Sequence, residues 1–335
     1  MPAISAEDRA RRFGLRYTMP DDLPLNRRRR GRGYQYLDAG GAPVESDAVK
    51  SRLKELRVPP AWTEVKLARD PLSHIQAVGR DAKGRLQYVY HDLWSQSADL
   101  EKAMRLKMLG GALGGLRESV EAQLRRRTVD RDFAMACAIA LLDRAALRVG
   151  YEEYCRDTGG RGAMTLQRQH VRISDGAVRL SFYGKSSKRI QRTLDDPPLA
   201  SALSRLREAR GPNLFCWAKD GESCLNAEDV NDYLHREAGD AVSAKDFRTF
   251  RASALVLDAM REEAPPTDKA LRGAIKTAAE FLANTPAVCR SNYVHPLVQT
   301  ACQDGLPTRK DLFTGPTREG LTRPETALMR LLDDC

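Results

Sequence analysis

Near residue 94 the hydrophobic pattern of this 335-residue chain changes period, and that change limits the folds open to it. From Tyr34 to Tyr90, short apolar stretches are broken by Gly40-Gly41, Pro59-Pro60, Asp70-Pro71 and Lys83-Gly84, and Leu86 to Tyr90 alternates aliphatic or aromatic with polar residues. That texture predicts strands. After Trp94, Leu100 to Leu124 and Phe133 to Leu147 carry apolar side chains at three- and four-residue spacing, which predicts helices. The expected class is α+β: a small N-terminal antiparallel β-sheet domain over residues 1–94, then a mainly α-helical domain over residues 95–335.

One β island interrupts the helical part. Val171 to Ile173, Val178 to Tyr183 and Ile190 to Leu194 are short strand-like runs, a three-stranded meander. Ser174-Asp175-Gly176 between the first two is a hairpin turn signal. Gly184-Lys185-Ser186-Ser187-Lys188 between the last two places Lys185 at an exposed tip. Helical texture resumes through Leu199 to Ala209, Ala227 to Glu237, Ala244 to Met260, Asp268 to Ala283 and Pro286 to Thr300, with Pro265-Pro266 and Pro307 marking loops.

Composition narrows the function. Lys and Arg number 55 against 45 Asp and Glu, a formal net charge of +10, so a polyanion such as nucleic acid is a favoured partner. The excess is concentrated in residues 1–94, which hold 18 basic and 12 acidic residues. There Arg9, Arg11 and Arg12, followed by Arg27 to Arg30, read either as a solvated tail or as a phosphate-binding arm. No window approaches the roughly 18 consecutive apolar residues of a membrane span, and nothing near the N-terminus resembles a signal peptide, so no membrane partner and a cytosolic location are expected. The seven cysteines (Cys137, Cys155, Cys216, Cys224, Cys289, Cys302 and Cys335) are scattered and nowhere spaced as CxxC. They read as reduced, mostly buried thiols.

Familiar motifs fail. Gly184-Lys185-Ser186 looks like the end of a nucleotide-binding loop, but position 179 is Arg179 rather than Gly and no helix pattern follows. The five histidines, His74, His91, His170, His235 and His295, are too dispersed to indicate a metal site. No cofactor is expected.

Four other places put cations or a nucleophile in unusual positions. Arg148 ends the apolar run in Leu147-Arg148-Val149-Gly150, where by composition alone it reads as a charge at a helix C-terminus. Lys185 on its tip reads as a solubilising residue. Lys245 and Arg248, in Lys245-Asp246-Phe247-Arg248-Thr249, share one face of a helix start, as a solvated face or as an anion site. Tyr293 follows the Asn284-Thr285-Pro286 helix start by nine residues and alone would be an ordinary core tyrosine.

In this order the four boxes resemble the type IB DNA topoisomerases, specifically the compact poxvirus-like group found also in bacteria, and the resemblance covers most of the chain. Pro59-Pro60-Ala61-Trp62-Thr63 and Gly84-Arg85-Leu86-Gln87-Tyr88-Val89-Tyr90 look like that family's N-terminal sheet domain, with Gln87, Tyr88 and Tyr90 at its DNA-contacting positions and Arg85 beside them. The resemblance implies a monomer that clamps double-stranded DNA, within the cytoplasm and on the nucleoid. It also implies that Tyr293 attacks a backbone phosphorus to give a 3′-phosphotyrosyl link, so that the phosphodiester energy is kept without ATP. Arg148 and Arg248 would stabilise the pentavalent transition state through fixed, permanently charged donors, Lys185 would protonate the departing 5′-oxygen, and Lys245 would bind DNA. Most members of viral type carry His where this chain, like some bacterial relatives, has Asn284, which donates a neutral hydrogen bond but no charge.

Two other readings stay open on sequence alone. A tyrosine recombinase shares the Arg, Lys and Tyr logic, but usually carries His three residues before the second Arg, where Lys245 stands here, and usually has a helical N-terminal domain. A non-catalytic basic DNA-binding protein would leave Tyr293 and Lys185 structural.

Overall fold

The computed structural model describes residues 5–208, 213–217, 223–263, 266–304 and 312–334. The chain divides into two compact units, residues 3–101 and 102–335.

The first unit is built on a five-stranded antiparallel sheet of order β2-β1-β3-β4-β5, with β1 Leu25–Arg30, β2 Gly33–Leu37, β3 Thr63–Leu67, β4 Ile75–Arg80 and β5 Leu86–Tyr90. Helix α1, Ala6–Arg12, precedes it, and α2, Asp47–Glu55, closes one face by packing Leu53 with Leu25, Val65, Leu67 and Ala77. Alternation along β5 sends Val89 into that core and Tyr88 to the opposite face, against Leu23, Ala68, Ile75 and Val78. The run Arg27 to Arg30 is therefore neither tail nor arm: it is strand β1, registered against Tyr36 to Gly33 of β2. Charge suggested a solvated segment, yet strand pairing uses the backbone and leaves Arg28, Arg29 and Arg30 exposed. Arg27 turns back to donate to the carbonyls of Val58, Pro59 and Trp62 at 2.8, 2.9 and 2.9 Å.

Helix α3, Asp92–Leu124, runs from the first unit into the second. In the second unit α4, Arg131–Ala145, is buried from Phe133 to Leu142, the pattern of a helix apolar on every side. After α5, Glu152–Thr158, comes the meander: β6 Val171–Ser174, β7 Ala177–Tyr183 and β8 Arg189–Asp195, paired antiparallel in that order. Its first turn places Asp175 and Gly176 at φ 53° and 73°, the left-handed pair that a two-residue hairpin requires. The remaining helices are α6 Pro197–Leu206, α7 Ala227–Ala238, α8 Ala244–Met260, α9 Asp268–Phe281, α10 Pro286–Asn292, α11 Pro296–Asp304 and α12 Arg323–Asp333. Pro265 and Pro307, expected in loops, lie outside the described residues, as do Ala209 and Cys335.

Three further expectations are corrected here. The helix expected to end at Leu147 stops at Ala145, with Ala146 as a left-handed cap at φ 46°, so Arg148 lies in an irregular segment rather than on a helix terminus. The single helix expected from Pro286 to Thr300 is two, α10 and α11, because Pro296 cannot continue a helix and restricts His295 before it. Cys216 and Cys224 are not both thiols but a disulfide. They are partners across a short antiparallel ladder, flanked by hydrogen bonds from Trp217 N to Ser223 O and from Leu225 N to Phe215 O, and that pairing, invisible in their spacing, brings the sulfurs together. Cys137, Cys289 and Cys302 are free and buried, and Cys155 is free and half-buried.

Candidate active site

Two adjoining clefts in the second unit, of about 460 and 470 Å³, share Arg148, Lys185, Lys245 and Tyr293 among their lining residues. Arg248 lines the first and Asn284 the second. The structure thus gathers all six positions singled out in the helical part of the sequence, from segments up to 145 residues apart. No carboxylate stands among the described residues that line either cleft.

Each side chain is held by a local feature of the chain. Arg248 sits on the second turn of α8, whose start is fixed by Ser243 and by Asp246, the carboxylate of which accepts from both Ser243 N and Oγ at 2.9 Å. Lys245, on the first turn of α8 and three residues before Arg248, projects from the same face into the cleft. Arg248 is only 3% exposed and ties together two helix ends, donating to Ala146 O at the cap of α4 and to Leu282 O, 2.9 Å away, at the cap of α9. Both carbonyls carry the partial negative charge of a helix C-terminus, which favours a guanidinium there. Its Nε–H is buried and has no partner among the described residues.

Arg148 follows the left-handed Ala146 and donates from Nη2 to Asn284 Oδ1 at 2.8 Å. The backbone beyond it packs against Gly162 so closely that a Cβ on Gly150, itself at φ +84°, would lie 2.7 Å from Gly162 Cα. Only glycine serves at 150. Asn284 is placed by the end of α9, where its N–H reaches Ala279 O at 2.8 Å, and its Nδ2 is buried with no partner among the described residues. Lys185 stands on the second meander turn, closed by Gly184 N to Lys188 O at 2.8 Å and by left-handed Ser186 and Ser187. Its ammonium lies 5.8 Å from the centre of the Tyr154 ring.

Tyr293 caps the C-terminus of α10 at the break before α11 and is 8% exposed. The Arg248 guanidinium carbon lies 4.8 Å from its ring centre. Burial pushes the hydroxyl up, but the charges of Arg248 and Arg148, joined by Lys245, outweigh it, and the pKa falls below the ordinary 10.0. Arg248 is pushed down to about 10, first by burial and then by the charge of Arg148. A buried guanidinium with further cations beside it around a phenol favours an anion at their centre.

Arg85, Gln87, Tyr88 and Tyr90 belong to the first unit, on and beside the edge strand β5. Tyr88 and Tyr90 stack with centroids 5.6 Å apart, and Tyr90 remains 41% exposed. Arg85 and Gln87 both donate to Asp81 Oδ2, at 2.6 and 3.1 Å, and the hydrogen bond from Arg85 chiefly holds Asp81 down to about 2.

Three lining residues escaped sequence reasoning. Asn231 accepts from Ala244 N at 3.1 Å and so steadies the start of α8, Ser243 caps that helix, and Arg161 enters the cleft between two glycines. The Gly160-Arg161-Gly162 triplet was the available signal. Among the described residues, no three His, Cys, Asp or Glu side chains cluster to hold a metal ion, and no helix is long and apolar enough to cross a membrane.

Comparison with known proteins completes the picture. Residues 92–304 match the catalytic core of eukaryotic DNA topoisomerase I, and residues 33–81 match the N-terminal domain of bacterial DNA topoisomerase IB. DNA topoisomerase 1B of Acanthamoeba polyphaga mimivirus is 32% identical over 78% of this chain and 81% of its own length. DNA topoisomerase I of monkeypox virus is 21% identical, and DNA topoisomerase 1B of vaccinia virus (strain Copenhagen) 20%, each over 75% of this chain and 81% of its own length. With residues from both its sheet unit and its helical unit matched by one group of proteins, the chain belongs to the type IB DNA topoisomerases.

Proposed function

We propose that this chain relaxes supercoiled double-stranded DNA as a single polypeptide closed around the duplex, with Tyr293 as nucleophile. Tyr293 releases its phenolic proton to water as its oxygen attacks a backbone phosphorus, the 5′-oxygen departs with a proton from Lys185, and a 3′-phosphotyrosyl ester is left. Rejoining reverses each step, with the 5′-hydroxyl attacking and Tyr293 leaving. Arg148 and Arg248 hold the nonbridging oxygens as charge builds on them, and Asn284 adds a neutral donor through the Nδ2 that has no other described partner. Lys245 binds a flanking phosphate, while Gln87, Tyr88, Tyr90 and Arg85 give the first unit its own contact with the DNA. No metal or nucleotide enters the scheme, since bond energy is stored in the ester.

The observation that carries this reading is the gathering of Arg148, Lys185, Lys245 and Arg248 with Tyr293 in clefts whose described lining holds no carboxylate. A phenol held below its ordinary pKa by guanidinium charge is suited both to attack and to leave. The test is relaxation of supercoiled plasmid in EDTA without ATP, with detergent trapping and with Tyr293→Phe alongside. Relaxed topoisomers and a protein adduct on the 3′ end are expected, both lost in the variant by about 10⁵-fold or more while DNA binding persists. Relaxation that survives in Tyr293→Phe would overturn the assignment, and adducts formed only on paired specific sites would indicate recombination.

A further inference from the structure

Between α5 and the meander, residues 160–164 form a strap stitched on both sides. Arg161 N donates to Tyr183 O at 2.9 Å, two residues before Lys185. Ala163 N and Met164 N donate to Arg148 O and Val149 O at 2.8 and 2.7 Å. The backbone of Arg161 is therefore fixed to both the segment that carries Arg148 and the hairpin that carries Lys185. Gly162 permits this, because a Cβ there would lie 2.6 Å from Arg148 O.

The Arg161 side chain is half-buried and lines the cleft with Tyr293 and the other cations. Its Nη1 donates to Thr165 O at 2.7 Å, which orients the guanidinium plane. Among the described residues no carboxylate pairs with it and no acceptor engages Nε or Nη2. A further guanidinium in a cleft already holding Arg148, Lys185, Lys245 and Arg248 raises their mutual repulsion, a cost that an entering anion relieves. One edge of a planar fork, pre-oriented and unengaged, matches two oxygens of a phosphate.

We propose that Arg161 is a further phosphate-binding residue of the cleft, gripping a DNA backbone phosphate next to the scissile one; the inference rests on the reaction proposed above. Single-turnover cleavage of a suicide duplex by the full-length protein, over a range of DNA and salt concentrations, tests it. Arg161→Ala should raise the half-saturating DNA concentration about tenfold, more than it lowers the rate at saturation, and should make the log–log salt dependence shallower by about one. Methylphosphonates placed singly along the strand should include one position that weakens the parent protein and has no further effect on the variant. Arg161→Lys should restore the salt slope but only part of the affinity, a rescue that a purely structural role does not predict. An unchanged slope in Arg161→Ala, with every methylphosphonate effect retained, overturns the proposal. The same binding measurements made on Tyr293→Phe keep the two readings apart: absence of cleavage in the parent protein sinks the reaction, whereas an unchanged slope sinks the Arg161 contact.

Discussion

Two arginines of the helical unit are sheltered from water in opposite ways. Arg117 on α3 donates to Asp143 at 2.8 and 2.9 Å and to Glu325 at 2.9 and 2.8 Å, and Glu325, 1% exposed, also takes Arg251 at 3.4 Å. Burial works against the Arg117 charge, but the bonds to Glu325 and Asp143 outweigh it and push its pKa up. Arg248, more deeply buried, meets helix-end carbonyls and a second guanidinium, and its pKa is pushed down to about 10. A cation whose compensating carboxylates are built in serves the fold; one left without them is completed by a ligand. The Arg117 network joins α3, α4 and α12, whereas Arg248 ties α4 and α9 beside Tyr293.

Substitution can break that contrast. Arg117→Met should cost about 3–5 kcal/mol in denaturant unfolding, because Glu325 is then buried without its bidentate partner, while the cleavage rate per folded molecule is kept. Arg248→Met should do the reverse: cleavage slows about 10²–10³-fold, equivalent to about 2.7–4 kcal/mol of transition-state stabilisation, with little change in thermal midpoint. In that variant the Tyr293 pKa should rise, since its strongest depressing charge is gone, and spectrophotometric titration of the phenol reads the change. A catalytic defect in Arg117→Met at unchanged stability would erase the distinction.

The smallest effect is in acid. Burial pushes Glu325 up, but the bonds from Arg117 prevail and hold it at about 2, against an ordinary 4.5. A depressed carboxylate stabilises fully above its unfolded value and loses that contribution as pH falls through the folded one. Stability should therefore decline between about pH 4.5 and 2, and Glu325→Gln should flatten that part of the unfolding profile. An identical acid limb in the variant would assign the decline to other groups.

What was legible in the sequence followed from local rules. Short strand-like runs and the Ser174-Asp175-Gly176 turn gave the meander, and the helical texture of Ala244 to Met260 gave α8 to the residue. What was hidden depended on tertiary pairing. Arg27 to Arg30 carry the charge of a tail but the backbone of a strand, and Cys216 meets Cys224 only once the ladder forms. The break at Tyr293 was signalled by His295-Pro296, but the apolar spacing from Val288 through Val298 runs straight across it and masked the signal. Arg161 was missed because the Gly160-Arg161-Gly162 triplet reads as an ordinary loop until Gly150 and Gly162 are seen in contact.

The corner at Tyr293 also has a mechanical meaning. Ser253, fully buried on α8, accepts from His295 N at 3.1 Å and donates to Tyr293 O at 3.4 Å, so one hydroxyl pins the chain on both sides of Val294. A strand joined to Tyr293 would transmit the torque of an unwinding duplex through that phenol. The pin would direct that load into α8 and the core packed on it rather than along the seven-residue α10, so that the anchor point would stay still while the DNA turned.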